Sequence, residues 1–358
     1  MRIRQREIGP HRDPYLIAEI GVNHDGMVDR ALALTQIAAE AGCDAVKLQL
    51  FKADLLMSSA ARLATYQETA GETDPHAMLR RLEMTQDAMT RVVDLAHTAG
   101  MAAIVTCFSV ELVAIAQTLD FDAYKTASPD IVHKPLLDAL LATGKPLIVS
   151  TGASTIEEVQ SALTWLAPAH DRMALLQCVS SYPTRPDQAA MEAMADLRRV
   201  FSGPVGYSDH TAQADTACKA VLMGACVLEK HITLDRTLEG PDHAASLEPP
   251  GLRRYVKEAA EGYRIRAANP PYRDKIDAKA EAKGRKVVLD CERDVRTVSR
   301  QSIVTRRPLP QGHRLGVEDL TFKRPGTGIL PFRIHEVVGR TLNKPLAADA
   351  LVMEADLA

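Results

Sequence analysis

The sequence predicts an α/β protein, a TIM-type (β/α)8 barrel followed by a small, mostly β domain. Eight short apolar runs alternate with longer segments of helical periodicity in residues 1–268, and this alternation is typical of parallel strands joined by helical crossovers. Eight such units in roughly 250 residues match the usual size of this barrel. A doubly wound open sheet is the competing fold, but no GxGxxG motif follows the first run.

Each predicted strand is a short run rich in Val, Ile, Leu and Ala. In chain order, the runs are Leu16–Gly21, Ala45–Phe51, Ala102–Phe108, Ala123–Ser128, Pro146–Thr151, Met173–Ser180, Val205–His210 and Val227–Ile232. The segments between them carry apolar residues at helical spacing, and several end in Gly, which often terminates a helix. A last predicted helix, Leu247–Ala268, follows the eighth run.

A charged, proline-containing tract separates two patterns in the chain. Residues 269–286 read as a linker between a barrel domain, residues 1–268, and a second domain, residues 287–358. The second segment has short strand-like runs and many turn residues, and its length suits a small independent domain.

The composition excludes several classes of function. The net charge is −3 and the aromatic residues are 8 Tyr, 6 Phe and 1 Trp, so the chain has neither a basic footprint nor an aromatic platform for nucleic acid. No apolar run approaches the roughly 18 residues of a membrane span, and the N-terminus lacks the apolar core of a secretory signal. The six cysteines show no CxxC spacing, which favours buried thiols over disulfides or zinc. We expect a cytoplasmic protein that binds neither nucleic acid nor membrane.

Polar residues end all eight predicted strands, at the edge of the barrel where TIM-barrel active sites lie. One strand-end Ser is usually a helix cap and one strand Lys is usually paired, but burying eight polar ends together is costly without a polar ligand. They are Glu19, Asn23 and His24; Lys47 and Gln49; Thr106 and Ser109; Lys125 and Ser128; Ser150 and Thr151; Ser180, Ser181 and Tyr182; Ser208, Asp209 and His210; and Glu229 and His231, with Lys230 on the opposite side of the last strand.

One subset of these residues combines cations with hydroxyl groups. Such a combination suits a phosphate or a phosphorylated carboxylate, without identifying the ligand. The subset is Lys47, Thr106, Lys125, Ser128, Ser150 and Ser208.

A second subset could bind a metal or transfer protons. His210 and His231 end neighbouring strands, so they could hold one metal ion, or they could be two hydrogen-bonded core histidines. Glu19 and Glu229 are candidates for a general base or an orienting group, or else for salt bridges to nearby lysines.

The strings at these strand ends resemble those of the sialic acid synthases, a family that includes synthases of related nonulosonic acids. They are IAEIGVNHDG, AVKLQLFKAD, AYKTAS, GKPLIVSTGAS, SYPT, GYSDHT, LEKHIT, GPDHAAS and KRPGTGI. The resemblance implies a TIM barrel with a C-terminal antifreeze-like (SAF) domain. It also implies a domain-swapped homodimer in which the small domain of one subunit covers the barrel mouth of the other.

The resemblance further implies a reaction. Phosphoenolpyruvate would condense with the open-chain aldehyde of an N-acylhexosamine, typically N-acetylmannosamine, to give N-acetylneuraminate and phosphate by C–O cleavage. The implied cofactor is a divalent metal, Mn²⁺ or Mg²⁺.

The resemblance implies roles for individual residues as well. His210 and His231 would hold the metal, and Glu19 would position the reacting groups and a water, with Glu229 the other acid–base candidate. Phosphoenolpyruvate would be held by Lys47, Thr106, Lys125, Ser128, Ser150 and Ser208. The sugar would contact Gln49, Tyr182 and Asp242, and would also meet Arg324 of the partner subunit.

Three departures from the family pattern fall on the sugar side of the implied site. Ser180 stands where sialic acid synthases often have Asn, Cys107 stands where Pro is common, and the segment TAGETDPHAMLRRLE lacks an Asn that some members place there. Legionaminate, pseudaminate or spore-coat precursor synthesis is therefore an alternative of the same chemistry. A Schiff-base aldolase using Lys47 or Lys125, and a non-catalytic carbohydrate-binding protein, are alternatives of other classes.

Overall fold

The computed structural model describes residues 1–269 and 285–358. Within them, eight parallel strands close into a barrel in sequence order. A short hairpin of β1 (Arg2–Ile3) and β2 (Arg6–Glu7) precedes the barrel. The barrel strands are β3 (Tyr15–Glu19), β4 (Ala45–Leu50), β5 (Ala102–Cys107), β6 (Ala123–Thr126), β7 (Leu147–Ser150), β8 (Met173–Gln177), β9 (Val205–Asp209) and β10 (Val227–His231). Each overlaps one run identified in the sequence, so the predicted barrel is confirmed.

Helices surround the barrel and return the chain to the start of each next strand. They are α1 (Val28–Ala41), α2 (Ala53–Leu56), α3 (Thr65–Thr69), α4 (Pro75–Leu82), α5 (Gln86–Thr98), α6 (Val110–Gln117), α7 (Lys134–Ala142), α8 (Ile156–Trp165), α9 (Met194–Val200), α10 (Thr216–Leu222) and α11 (Pro249–Ala268). Local sequence sets their ends: Thr155 and Glu158 form a capping box at the start of α8, and α1 ends at Gly42 with φ 86°. Among the described residues, no helix has both the length and the apolar character needed to cross a bilayer.

The inward-facing side chains of the barrel change from apolar at its lower end to polar at its mouth. Every second residue of a strand points inward, and the lower inward positions form an apolar cluster closed from below by Ile3 and Ile8 near the hairpin. The inward residues of this cluster include Ile17, Ala45, Ile104, Ala123 and Ile148. The residues two positions later are Glu19, Lys47, Thr106, Lys125 and Ser150. The strand period therefore places an apolar floor directly beneath a polar mouth.

Lys230 lies on the outer face of β10, as the sequence predicts. Its Nζ is 3.0 Å from Asp209 Oδ2 and 5.5 Å from the centre of the Tyr255 ring, so its charge is neutralised between the strands and the helices. It is therefore not a salt-bridge partner of Glu229.

The C-terminal module packs over the mouth of this barrel. It contains α12 (Arg293–Ser299), the antiparallel pair β11 (Ser302–Thr305) and β12 (Leu320–Lys323), and the one-turn helix α13 (Ile334–Val337) around its own apolar core. Backbone hydrogen bonds join it to the barrel side: Arg324 N donates to Leu56 O at 2.8 Å, and Ser58 N donates to Arg324 O at 3.1 Å. Most of the predicted linker, residues 269–286, lies outside the described residues.

The position of the module differs from one sequence expectation. The resemblance implies that Arg324 enters the site from a partner subunit, but in this structure the module covers the barrel of its own chain. A domain swap exchanges identical elements, so the same contacts can form within one chain or between two. The domain-swapped homodimer stays a prediction.

Candidate active site at the barrel mouth

A cavity opens at the carboxyl ends of the barrel strands, with about 940 Å³ of empty space including its open mouth. All of the residues given individual roles above line it: Glu19, Lys47, Gln49, Thr106, Lys125, Ser128, Ser150, Tyr182, Ser208, His210, Glu229, His231, Asp242 and Arg324. Other strand-end residues named in the sequence analysis do not line it: Asn23, His24, Ser109, Thr151, Ser181 and Asp209. Inward strand positions account for Glu19, Lys47, Thr106, Lys125 and Ser150, whereas Tyr182, Asp242 and Arg324 come from segments outside the barrel strands. The individual roles given above stay predictions.

One side of the cavity collects cations and hydroxyl groups. Lys47 Nζ lies 2.6 Å from Glu19 Oε2 and donates to Thr106 Oγ1 at 3.2 Å. Lys125 Nζ donates to Ser150 Oγ and, at 2.9 Å, to the carbonyl oxygen of its neighbour Thr126. Both ammonium groups are almost fully buried. A buried pair of cations beside hydroxyl donors is suited to an anionic ligand.

The turn after β7 completes this side of the cavity. Gly152 N donates to Ser128 Oγ at 3.1 Å, and Ser128 Oγ lies 3.0 Å from Cys178 Sγ. A Cβ atom at Gly152 would lie 2.4 Å from Ser180 Oγ and 2.8 Å from both Ser128 Oγ and Cys178 Sγ. Glycine therefore allows the backbone to approach three polar side chains that a larger residue would push apart.

Two carboxylates face the lysines in different electrostatic settings. Glu229 lies 3.7 Å from Lys125 Nζ and 3.8 Å from Lys47 Nζ, and accepts a hydrogen bond from Ser208 Oγ at 2.7 Å. Burial opposes its ionisation, but Lys125 and Lys47 outweigh burial and lower its pKa to about 2. Burial, supported by the charge of Glu229, raises the pKa of Glu19 to about 7 despite its contact with Lys47. Of the two carboxylates, Glu229 is therefore the more readily ionised, and Glu19 holds a proton more readily than an ordinary Glu.

His210 and His231 lie side by side, with ring centres 5.5 Å apart. The Nδ1–H of His210 donates to Val179 O at 2.6 Å, which leaves the Nε2 lone pair available beside Tyr182 Oη at 3.2 Å. Nδ1 of His231 is buried without a hydrogen-bond partner. Burial lowers the pKa of His210 to about 4 and that of His231 well below its usual value, so both rings are neutral.

These observations fit a divalent cation held by two imidazoles. Neutral rings provide lone pairs, and the carbonyl of Val179 orients His210 as an outer-shell partner orients a metal-binding histidine. Among residues 1–269 and 285–358, no group of three or more His, Cys, Asp or Glu side chains has metal-ligating spacing. Two protein ligands would leave the remaining positions to substrate and water.

Another part of the cavity wall is built from aromatic, amide and guanidinium groups. Gln49 Nε2 donates to Glu19 Oε1 at 2.7 Å and to Gly21 O at 2.8 Å. The Tyr182 ring lies 4.2 Å from the His210 ring, centre to centre. The guanidinium of Arg324 lies 5.5 Å from the centre of the Phe108 ring.

Several lining residues carry no signal in the sequence. Tyr66, whose ring centre is 5.0 Å from that of Tyr182, and Gln67 belong to the short helix α3 in the long connection after β4. Val295 and Ser299 come from α12, beyond the linker. Neither segment has the period of a barrel strand, so the strand-end argument could not find them.

Comparisons with known proteins agree with this architecture. A model of the NeuB family matches residues 34–267, and a model of the SAF domain matches residues 300–358. The N,N'-diacetyllegionaminic acid synthase of Legionella pneumophila is 34% identical over 95% of this chain and 93% of the relative. The human N-acetylneuraminate-9-phosphate synthase is 28% identical over 98% of this chain and 94% of the relative.

A solved structure extends the comparison to three dimensions. The spore coat polysaccharide biosynthesis protein SpsE of Bacillus subtilis superposes with a TM-score of 0.83 at 27% identity, covering 100% of this chain and 99% of that one. The family model covers more than half of this chain and the SAF model covers its C-terminal module, which confirms the resemblance found in the sequence. The chain belongs to the NeuB family.

Proposed function

We propose that this protein is a nonulosonate synthase that condenses phosphoenolpyruvate with an open-chain N-acylhexosamine and releases phosphate by C–O cleavage. The observation that carries the proposal is the meeting of two buried lysines with a pair of neutral imidazoles in one cavity. The lysines suit a phosphorylated carboxylate, and the imidazoles suit a site for an aldehyde oxygen beside it. The names of the relatives support a synthase of this type.

The cationic side would bind phosphoenolpyruvate. Lys47 and Lys125 would neutralise its charges, and the hydroxyls of Thr106, Ser128, Ser150 and Ser208 would donate hydrogen bonds to its oxygens. Because Lys47 is already held by Thr106, Lys125 by Ser150 and Ser208 by Glu229, these groups would require little rearrangement as charge moves onto the departing phosphate.

His210 and His231 would hold the Mn²⁺ or Mg²⁺ that we propose as cofactor. Such a cation supplies Lewis-acid polarisation of the acceptor's aldehyde oxygen. Tyr182 and Asp242 lie next to the two imidazoles and would orient the sugar there: Tyr182 Oη is 3.2 Å from His210 Nε2, and Asp242 Oδ2 is 3.5 Å from His231 Nδ1.

In the proposed reaction, C3 of phosphoenolpyruvate attacks the aldehyde carbon and forms the new C–C bond. The aldehyde oxygen gains a proton to become a hydroxyl, and a water oxygen adds at C2 with loss of a proton. The resulting tetrahedral carbon expels phosphate by breaking its C–O bond, which leaves the 2-keto acid. Glu19, held between Lys47 and Gln49, would position the water, and the ionised Glu229 would balance the two lysines. The module over the mouth would limit the access of bulk water.

The proposed acceptor is N-acetylmannosamine, with N-acetylneuraminate as the product. A second acceptor, a diacetamido-trideoxyhexose that would give a legionaminate-type product, is favoured by the lining of the mouth. Met78, Leu79 and Leu82 of α4 line the cavity, and an apolar wall suits a methyl or N-acetyl group better than a hydroxyl. The 34% identity to a legionaminic acid synthase agrees with this alternative.

A phosphate-release screen tests the proposal. The purified protein is incubated with Mn²⁺, phosphoenolpyruvate and, in turn, N-acetylmannosamine, its 6-phosphate and the diacetamido-trideoxyhexoses. We expect phosphate only when both substrates are present. A borohydride-reduced pyruvate adduct on Lys47 or Lys125 would indicate an aldolase instead, and no release with any acceptor would favour a carbohydrate-binding protein.

A further inference from the structure

We propose that Glu292 is a positioning residue for the phosphoenolpyruvate side of the site, and that it acts by fixing the turns after β7 and β8. This inference rests on the proposed function. Glu292 lies just beyond the linker, at the junction of a short turn, Asp290–Glu292, with α12. It is 1% exposed, and it does not line the cavity itself.

The carboxylate of Glu292 joins two turns that come from different strands. Its Oε1 accepts a hydrogen bond from Ala153 N at 2.6 Å and another from Ser180 N at 2.8 Å. Its Oε2 accepts from Leu289 N at 3.0 Å. A single oxygen therefore sets the distance between the turn after β7 and the turn after β8.

The turn after β7 lies between groups proposed to hold the anion, and the turn after β8 places Ser180 Oγ against it at Gly152. Ala153 follows Gly152, whose N–H reaches Ser128 Oγ, and Ser150 is two residues before Gly152. Ser180 itself lines the cavity. A shift of either turn would change the spacing of the serine hydroxyls, and misplacement by about 1 Å can cost about a hundredfold in rate.

Arginines at the end of α12 also hold the turn after β7, through the carbonyl oxygen of Ala153. The carbonyl oxygen of Ala153 accepts from Arg296 Nη1 at 2.5 Å, and Arg296 and Arg300 both bind the carboxylate of Glu158. Ala153 has φ 50°, a left-handed conformation that is unfavourable for a residue with a Cβ atom. Contacts at both its N–H and its carbonyl would hold the residue in that conformation.

The side-chain chemistry predicts how substitutions at Glu292 differ. Alanine removes all three acceptor contacts and leaves two turns without their link. Glutamine keeps an oxygen for Ala153 and Ser180, but its amide nitrogen opposes the N–H of Leu289, so one contact is lost rather than three. Aspartate keeps the charge but is one methylene shorter, so it would not reach both turns.

The test compares Glu292→Ala, Glu292→Gln and Glu292→Asp in the full-length protein. For Glu292→Ala we expect the KM for phosphoenolpyruvate to rise about tenfold or more, and the KM for the acceptor to rise several times less, because Tyr182 on the turn after β8 is proposed to meet the sugar. Glu292→Gln should lie within about threefold of wild type. Glu292→Asp should raise the KM for phosphoenolpyruvate, which keeps the prediction testable if the alanine variant does not fold. The control is Arg306→Ala, which removes an exposed contact of the same module with Glu111 and should change neither KM.

Amide hydrogen exchange provides a readout that does not depend on catalysis. We expect faster exchange at Ala153 and Ser180 in Glu292→Ala than in wild type, with recovery in Glu292→Gln. Unchanged exchange at both amides would overturn the proposal. An equal rise in both KM values would also overturn it, because Glu292 would then only hold the module that carries Arg324. If the wild-type protein released no phosphate with any acceptor, the proposed function would fail, and hydrogen exchange alone would decide whether Glu292 orders the turns.

Discussion

The two sides of the cavity are built from different parts of the chain. The side proposed for phosphoenolpyruvate comes mainly from inward positions near the ends of β4, β5, β6, β7 and β9, each fixed by hydrogen bonds to its neighbouring strands. The sugar side draws on the connection after β4 and on the C-terminal module, which contribute Tyr66, Gln67 and Arg324. The barrel scaffold therefore constrains the reacting half, whereas the connecting segments can change the acceptor without disturbing the barrel.

Only one of the three departures seen in the sequence fits this contrast. The altered segment includes α4, whose apolar residues line the mouth, whereas Cys107 ends β5 without lining the cavity and Ser180 Oγ lies against Gly152 on the phosphoenolpyruvate side. The two cations of that side, Lys47 and Lys125, show no departure. Substitutions that affect one side and spare the other can test the division.

The largest effect is expected where the two sides meet. His231→Ala should reduce phosphate release by about a thousandfold or more, because metal-assisted polarisation is worth several kcal/mol. The fold should survive, since His231 is the last residue of β10 and lies at the barrel mouth. The measurement is turnover with saturating substrates and Mn²⁺, alongside thermal unfolding. His335→Ala, at an exposed histidine, is the control, and full turnover by His231→Ala would refute the metal assignment.

The next largest effect concerns the phosphoenolpyruvate side alone. Lys125→Met removes a buried cation and should lower kcat/KM for phosphoenolpyruvate about a hundredfold, as loss of one preorganised donor typically does. The KM for the acceptor should change less than threefold. Lys134→Met, at a lysine paired with Asp138 on α7, should behave as wild type. A matching loss for both substrates would show that the two sides are not separable.

The complementary change addresses the sugar side. Arg324→Ala should raise the KM for the acceptor about 10-fold to 100-fold, because a hydrogen bond to a charged group contributes about 1.5–3 kcal/mol. The KM for phosphoenolpyruvate should stay nearly constant. Arg314→Ala, an exposed arginine of the same module whose Nε donates to Gly339 O, is the control. Equal effects on both KM values would rule out this role for Arg324.

The smallest expected effect is on the pH dependence of thermal stability, through the ion pairs of Glu158 that join the barrel to the module. Burial opposes ionisation of Glu158, but hydrogen bonds from Arg300 and Arg296 outweigh burial and lower its pKa from 4.5 to about 2. A lowered pKa in the folded state contributes stability above the unfolded value, and this contribution is lost as the pH falls from about 4.5 towards 2. The Tm of the wild type should therefore fall more steeply between pH 5 and pH 3 than that of Glu158→Gln. If Tm fell equally with pH in the wild type and in Glu158→Gln, the ion pairs of Glu158 would not contribute to the pH dependence of stability.

The sequence predicted the barrel and the strand-end part of the site for a simple physical reason. A strand has a period of two, so an apolar inward residue such as Ile148 places Ser150 on the same face. No comparable rule relates Glu292 to Ala153, which is 139 positions away, or Tyr66 to the Tyr182 ring. Such contacts depend on how irregular segments pack, and no repeating spacing of residues in the sequence predicts that packing.

The fate of the bridging oxygen of phosphoenolpyruvate tests the central claim most directly. The protein is incubated with an acceptor, Mn²⁺ and phosphoenolpyruvate labelled with ¹⁸O between C2 and phosphorus, and both products are analysed by mass spectrometry. C–O cleavage predicts that the label leaves with inorganic phosphate and that the new 2-keto acid takes its C2 oxygen from water. Label retained in the organic product would indicate P–O cleavage and would contradict the proposed reaction at this barrel mouth.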